Sequence, residues 1–253
     1  MKIVAFSHQG PSPKYNHNED SIVINDQAIS LKDFTYEKSF FFKHTGIFAV
    51  CDGVGGYFGG EIASKTIANV IVDFAKKEKI SSEMSVQALA YEMKEAMNET
   101  HSQYGNNEMM STFVGLFINH KKLLFANVGD SPSFIYRDKK LRMVSSLDTY
   151  ENKLLAQGMS KEEVEKMDTA HYITAAFGME DLSIYAVHFS EEKAQKGDKY
   201  LLMSDGVYDY LKEDELNELL NQFKDSAQLA KEIERLVLER GANDNYSLIV
   251  IEY

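Results

Sequence analysis

Four short acidic segments stand far apart in the chain and share one local setting. They are Asn18-Glu19-Asp20, Cys51-Asp52-Gly53, Ser204-Asp205-Gly206 and Asn243-Asp244-Asn245. Each lies at the end of an apolar, strand-like run or in the turn beside one. Strand ends on one rim of a sheet assembly can converge in space. Carboxylates that converge repel one another, and they must then take up protons or bind cations. A set of oxygen donors without Cys or His suits hard ions such as Mg²⁺ or Mn²⁺. Asp-Gly alone is a common turn. The apolar runs Ile47–Val50 before Asp52 and Tyr200–Met203 before Asp205 give these two pairs a different setting. A glycine after the acid lets the backbone come close, so its carbonyl can also face an ion.

The run Cys51 to Ser64, CDGVGGYFGGEIAS, is the strongest local signal. A strand ends in an aspartate, passes through a glycine-rich turn and opens a helix. The glycines do not follow the dinucleotide pattern G-x-G-x-x-G, and the GK[ST] ending of a phosphate-binding Walker loop is absent.

The elements that must position these acids follow from hydropathy. Short strands are expected at Ile3–Phe6, Ser21–Ile24 and Ile47–Cys51. Two amphipathic helices come next, one with Ile67, Val70, Ile71 and Phe74 on a face, the other with Val86, Leu89, Ala90, Met93 and Met97. Strands then follow at Thr112–Asn119, Leu123–Val128 and Ser133–Tyr136, with Lys121-Lys122 as a hairpin tip. A polar Lys/Glu-rich stretch of helical pattern, Thr149–Asp168, interrupts them. Strands resume at Ile173, Leu182–Phe189 and Lys199–Met203. Helices near Glu213–Gln222 and Ser226–Arg240 precede a closing strand, Tyr246–Glu252. Strands grouped apart from paired helices argue for an α+β fold of largely antiparallel sheets rather than alternating βαβ units.

The chain has 253 residues, 44% of them hydrophobic, and 27 basic against 39 acidic side chains give a net charge of -12. Such an acidic surface disfavours nucleic acid and anionic membranes as partners. The lone Cys51 excludes an intramolecular disulfide and reads as a small buried hydrophobe. The start, MKIVAFSHQG, is too short an apolar run for a signal peptide or a span. A single domain covering 1–253, cytoplasmic and monomeric, is expected, with a flap insertion at about 145–170. The seven histidines show no ligand spacing, and His17 beside the first acidic segment reads as a turn or surface residue.

Taken in order, the motifs resemble those of the metal-dependent serine/threonine protein phosphatases of type 2C, in their bacterial branch. The family pattern N-[QE]-D, D-G-x-G-G-x-x-x-G-E-x-A-S, N-x-G-D-S, S-D-G and D-N is matched by Asn18-Glu19-Asp20, Asp52 to Ser64, Asn127-Val128-Gly129-Asp130-Ser131, Ser204-Asp205-Gly206 and Asp244-Asn245. The resemblance implies a four-layer α-β-β-α sandwich of two mainly antiparallel sheets flanked by helix pairs, with two Mn²⁺ or Mg²⁺ ions at one edge. Asp52 would bridge both ions, the Gly53 carbonyl would bind one, and Asp205 and Asp244 would hold the other. Glu19 and Asp20 would bind metal directly or through water, with Asp20 and Asp52 counted as catalytic, and Asn245 would support Asp244. The implied reaction is hydrolysis of phosphoserine and phosphothreonine in proteins by a metal-activated water. It needs no protein nucleophile. The partners implied are a phosphoprotein substrate and a cognate Ser/Thr kinase.

The sequence departs from the family at several places. Tyr15 stands where the family has a phosphate-gripping Arg, and Lys14 beside it is the candidate phosphate-binding residue, a point charge without the bidentate fork. Val54 follows Asp-Gly where many relatives outside the bacterial branch have His, and Tyr57 stands where bacterial members often have one. The usual G-D-S-R reads Gly129 to Pro132, with Asp130 expected to be structural. D-H-S is reduced to Leu147-Asp148-Thr149, and M-G-T-T to Met109 to Thr112. Glu108 stands near the position where bacterial members can place an Asp for a third metal ion. These departures leave two alternatives to an active protein phosphatase: a phosphatase-like binding module with little turnover, and a small-molecule phosphatase.

Overall fold

The computed structural model describes residues 1–13, 16–39, 45–54, 59–106, 108–164, 166–167, 169 and 172–253. Lys14, Tyr15 and Tyr57 lie outside them, as do Asp168 and three other residues in or beside the 145–170 segment. Fourteen strands are described: β1 (Lys2–His8), β2 (Ser21–Ile24), β3 (Gln27–Ile29), β4 (Asp33–Ser39), β5 (Thr45–Cys51), β6 (Gly53–Val54), β7 (Met110–Ser111), β8 (Phe113–Asn119), β9 (Lys122–Val128), β10 (Ser133–Arg137), β11 (Lys140–Met143), β12 (His188–Lys193), β13 (Lys199–Met203) and β14 (Tyr246–Glu252). The helices are α1 (Gly60–Lys77), α2 (Glu83–Tyr104), α3 (Tyr150–Ala156), α4 (Lys161–Val164), α5 (Asp205–Tyr208), α6 (Glu213–Gln222) and α7 (Ser226–Glu239).

Two six-stranded sheets form, in the orders β11-β10-β13-β14-β1-β4 and β12-β9-β8-β5-β2-β3. All described pairings within them are antiparallel. Successive side chains of a strand point to opposite faces, so each sheet offers two apolar surfaces. In β1, Ile3 and Ala5 join Ile249 and Ile251 of β14 and Phe48 and Val50 of β5 in the core between the sheets. Val4 and Phe6 point the other way and pack with Leu216, Leu229 and Ile233 of α6 and α7. Ala49 and Cys51 of β5 face Ile67, Ile71 and Met93 of α1 and α2. The layers are therefore helix pair, sheet, sheet, helix pair, as the resemblance implied. Strands covered on both faces read as continuous apolar runs, which is why hydropathy finds them so readily.

The differences from the expected elements have local causes. β3, β4 and β11 are short or polar strands, all three at sheet edges, and their composition conceals them. The strand expected at Leu182–Phe189 begins only at His188, because Ser183 accepts a hydrogen bond from the Tyr185 N–H and closes a 3₁₀ turn over Ile184–Ala186. Ile173 makes an isolated bridge to Thr149 in place of a strand. Asn119 pairs with Lys122, so the hairpin tip is His120-Lys121, with His120 in the left-handed region at φ 54°.

Phe48 has 0% exposure and sits between the sheets. Phe48→Ala is expected to lower unfolding free energy by about 3–5 kcal/mol, read by equilibrium denaturation. A loss under about 1 kcal/mol would mean that this core does not hold the two sheets together.

Candidate metal and active site

The acidic segments leave their strands at one edge of the sandwich. Asp20 precedes β2 and Asp52 follows β5, in one sheet. Asp205 follows β13 and Asp244 precedes β14, in the other. The structure brings these four together across the gap between sheets. Ser204 Oγ and Ser247 Oγ, from the second sheet, donate to Asp20 Oδ2 at 2.8 and 2.6 Å. The Asp52 and Asp205 carboxyls lie close enough to shift one another's proton affinity. Asp20 Oδ1 is a buried oxygen with no hydrogen-bond partner.

Backbone and neutral side chains hold this arrangement. Asn18 Oδ1 accepts from the Asp20 N–H at 3.1 Å, while Asn18 Nδ2 donates to Ser7 Oγ at 2.8 Å and to the Leu31 carbonyl at 3.0 Å. Ser247 Oγ also lies 2.8 Å from Ser7 Oγ, which closes a network around Asp20. The Asp52 N–H donates to Thr112 Oγ1 at 3.2 Å, and the Asp52 carbonyl accepts from the Thr112 N–H at 2.8 Å. Gly206 follows Asp205 because a Cβ there would stand 1.9 Å from the Asn245 carbonyl oxygen. A Cβ on Gly53 would lie 2.2 Å from the Gly60 carbonyl oxygen and 2.6 Å from that of Glu19. Only glycine permits these close approaches.

Asn245 departs from the expected role. Its side chain accepts from the Glu19 N–H at 2.8 Å and donates to the Gln9 carbonyl at 2.7 Å, so it fixes the first acidic segment. Its backbone N–H, at 2.8 Å from Asp244 Oδ1, supplies the contact to Asp244. A backbone donor follows from the adjacency of the two residues and leaves the amide free for Glu19.

Burial dominates the electrostatics. It raises the Asp52 carboxyl well above its ordinary value, followed by repulsion from Asp205, Asp20, Asp244 and Asp130. Asp205 is pushed up to about 8 by burial, Asp130 and Asp244, against the Asp52 hydrogen bond. Asp20 is pushed up to about 7 by burial, with the Ser247 and Ser204 hydroxyls opposing. Asp130, expected to be only structural, is pushed up to about 6 by burial and by Asp209, Asp148 and Asp244, and so belongs to the same field. Glu19 is raised by burial against the attraction of His17. Carboxyls this poorly solvated and this close would be relieved by a divalent cation, and Asp20 Oδ1 is a lone oxygen already waiting for a partner. The residues present fit hard cations.

Not every expected residue joins them. Glu108 is exposed between α2 and β7, and its backbone N–H is held by Asn106. Among the described residues no hydrogen bond or ion pair links it to the aspartates. One association escaped the sequence: His17 lies against Glu19 and Glu61. Glu61 is the Glu of the Gly-Glu pair that opens α1, and only the fold brings it to His17.

The fold defines the class first. A crystal structure of the Mycobacterium tuberculosis serine/threonine phosphatase PstP/Ppp superposes with a TM-score of 0.79 at 22% identity, covering 100% of both chains. The Staphylococcus aureus phosphatase Stp1 does so with a TM-score of 0.79 at 22% identity, covering 99% of this chain and 94% of that one. The sandwich is that of these phosphatases. In sequence, the serine/threonine phosphatase stp of Listeria monocytogenes is 27% identical over 218 residues, 81% of this chain and 84% of that protein. The family model described as protein phosphatase 2C matches residues 33–245. The chain belongs to the protein phosphatase 2C family.

Metal-free protein is expected to lose stability as pH rises. The folded values for Asp130, Asp20 and Asp205 lie near 6, 7 and 8, above the unfolded value of about 3.9. The stabilisation is complete below the unfolded value and is lost as pH passes up through the folded ones. Thermal melts after chelation should show Tm falling between about pH 5 and pH 8, with Mn²⁺ restoring it at the alkaline end and Asp205→Asn flattening the slope. A Tm that rises across that range would contradict the field described here.

Proposed function

We propose that this chain hydrolyses phosphoserine and phosphothreonine in proteins, with two Mn²⁺ or Mg²⁺ ions held by Asp52, Asp205, Asp244, the Gly53 carbonyl, Asp20 and Glu19. The observation that carries the reading is the meeting of four aspartates from four strand ends, with Asp20 Oδ1 left without a partner. A PstP catalytic domain has been solved in complex with two manganese ions; it superposes with a TM-score of 0.76 at 23% identity, over 99% of this chain and 98% of that one. When bound, such ions supply Lewis acidity, making a water acidic near neutral pH and offsetting charge on phosphoryl oxygens.

The chain's own residues prepare that chemistry. Asp52 is raised by Asp205, Asp20 and Asp244 together, so it stands among acids of both sheets and would be the carboxylate placed to serve two ions. Ser204 and Ser247 occupy Asp20 Oδ2 and leave Oδ1 without a partner. The Cys51 thiol is fully buried and burial pushes its pKa up, so it is no nucleophile. Capture of the substrate phosphate falls to Lys14, because all four arginines are paired elsewhere: Arg137 with Asp198, Arg142 with Glu192, Arg235 with Glu232 and Arg240 with Glu215.

The 253 residues act as a single catalytic domain, with about 145–170 as a flap. In support, Leu154 and Val164 of α3 and α4 make a small cluster of their own with Tyr150, Leu155 and Met167, apart from the three large cores. No helix among the described residues is long and apolar enough to cross a membrane. A cytoplasmic monomer that reverses the action of a Ser/Thr kinase is the setting proposed.

Manganese-dependent hydrolysis of a phosphoserine peptide tests the reading. Asp52→Asn is expected to lower kcat by about a hundredfold or more, since several kcal/mol of charge stabilisation depend on the ions it holds. Equal turnover by wild type and variant would sink the mechanism. Tight phosphopeptide binding without turnover by the wild type would favour the binding module that the absent phosphate arginine suggests. Turnover of small phosphate esters alone would favour a small-molecule phosphatase.

A further inference from the structure

His17, Glu19 and Glu61 form a second cluster beside the aspartates. His17 Nε2 lies 3.3 Å from Glu19 Oε1 and 3.1 Å from Glu61 Oε2, and the three ligand atoms all lie within 4.8 Å of one another. Glu19 is fixed by the Asn245 amide, and Glu61 stands in the first turn of α1. A protonated His17 paired with two carboxylates is the ordinary explanation.

Two observations point beyond an ion pair. Glu61 Oε2 is buried and has no hydrogen-bond partner, although the imidazole nitrogen is 3.1 Å away. The approach is close but lacks hydrogen-bond geometry. One ring N–H cannot aim at two carboxylates at once, whereas a cation accepts donors from several directions. Glu19 is 8% exposed, and the only partner its carboxylate has among the described residues is His17. A carboxylate removed from water without further donors is costly unless a cation meets it.

We propose that His17, Glu19 and Glu61 bind a divalent cation of borderline softness, of the Zn²⁺ or Co²⁺ kind, at a site that adjoins the aspartate centre and shares Glu19 with it. One imidazole nitrogen and two carboxylates suit such ions, whereas Mg²⁺ prefers oxygen donors and keeps its waters. The His17 side chain is 49% exposed, which leaves an entry path and room for water ligands. Glu19 connects the two centres. Its Oε1 faces His17, while Oε2 and the Gly53 carbonyl oxygen lie within 2.6 and 2.7 Å of the same point beside Gly60. The site does not rest on phosphatase turnover: of its three residues only Glu19 belongs to that reading, and His17 and Glu61 have no part in it.

Co²⁺ is the probe, because an imidazole bound to it gives strongly displaced ring-proton resonances in NMR spectra. The experiment uses the full chain as Asp52→Asn, with the aspartate centre impaired, alone and combined with His17→Gln or Glu61→Gln. The displaced resonance should appear in Asp52→Asn, saturate at a single added equivalent and vanish with His17→Gln. Glu61→Gln should weaken Co²⁺ binding by at least about tenfold. Zn²⁺ should displace the Co²⁺ and excess Mg²⁺ should not. Absence of the resonance from wild type and Asp52→Asn alike, or its survival in His17→Gln, would overturn the site. Circular dichroism of each variant separates lost folding from lost binding, and His17, half exposed, tolerates replacement. Failure of phosphopeptide hydrolysis leaves this outcome untouched, because it is read in a variant whose turnover is not required.

Discussion

Repulsion among carboxyl groups held out of water is the constraint on which the rest of the structure depends. Asp20 is buried and Asp52 and Asp205 are half-buried beside it; Asp205 raises both Asp20 and Asp52, and Asp20 raises Asp52. Without a counter-charge the cluster must hold protons, and every proton it holds is one that a cation would displace. Neutral donors surround it. Ser204, Ser247, Ser7 and Asn18 fix the Asp20 carboxyl and its backbone without adding charge of either sign. A lysine in their place would neutralise the aspartates permanently and leave them no need of an ion. The hydroxyls and amides orient the acids and leave the charge open.

The spacing of these acids is a property of the sandwich. Asp20 and Asp52 belong to one sheet, Asp205 and Asp244 to the other, so their separation is set by how the sheets pack. Directly behind them lie Ile22, Val50, Leu202 and Ile249, all in the core between the sheets. Close-packed interiors transmit small volume changes. The apolar layer is therefore the gauge that places carboxylates from one sheet within reach of serines from the other. The steric limits at Gly53 and Gly206 act in the same direction, pressing strand ends and turns together where a β-carbon would hold them apart.

Much of this was legible from residue order. The apolar runs ending in Asp52 and Asp205 announced strands covered on both faces, and β14 appears with the bounds that hydropathy assigned. The acids at positions 20, 52, 205 and 244 declared themselves through the turns beside those strands. What stayed hidden depends on contacts between remote segments. β4 pairs along the whole of β1, yet its DFTYEKS composition reads as loop because only Phe34 and Tyr36 reach the core layer. Asn245 looked like a support for its neighbour, and its amide instead pins Glu19, a residue 226 positions away. Asp130 joined the acidic field for the same reason: its turn between β9 and β10 arrives at the shared edge only once the sheets stack. His17 and Glu61 lie in separate motifs, and no linear spacing encodes their meeting at the start of α1.

The arginine inventory constrains how a phosphate can be held. The chain has four, on β10, β11, α7 and just after α7, and each is paired with a carboxylate. Arg137 is the most deeply engaged, with two nitrogens on Asp198, which also accepts from Tyr200 and from the Gln195 N–H. Releasing it would strand a carboxylate with 1% side-chain exposure, a heavy cost. In this structure each guanidinium is turned to a carboxylate, so a phosphate dianion approaching a chain of net charge -12 would have to compete for it. On the proposed function, attraction would come from the ions the aspartates hold and from lysine point charges, which bind without fixed orientation. In such a site the acids that gather cations also supply, at one remove, the attraction for the anion. On the proposed function, recognition and chemistry would rest on the same four carboxylates.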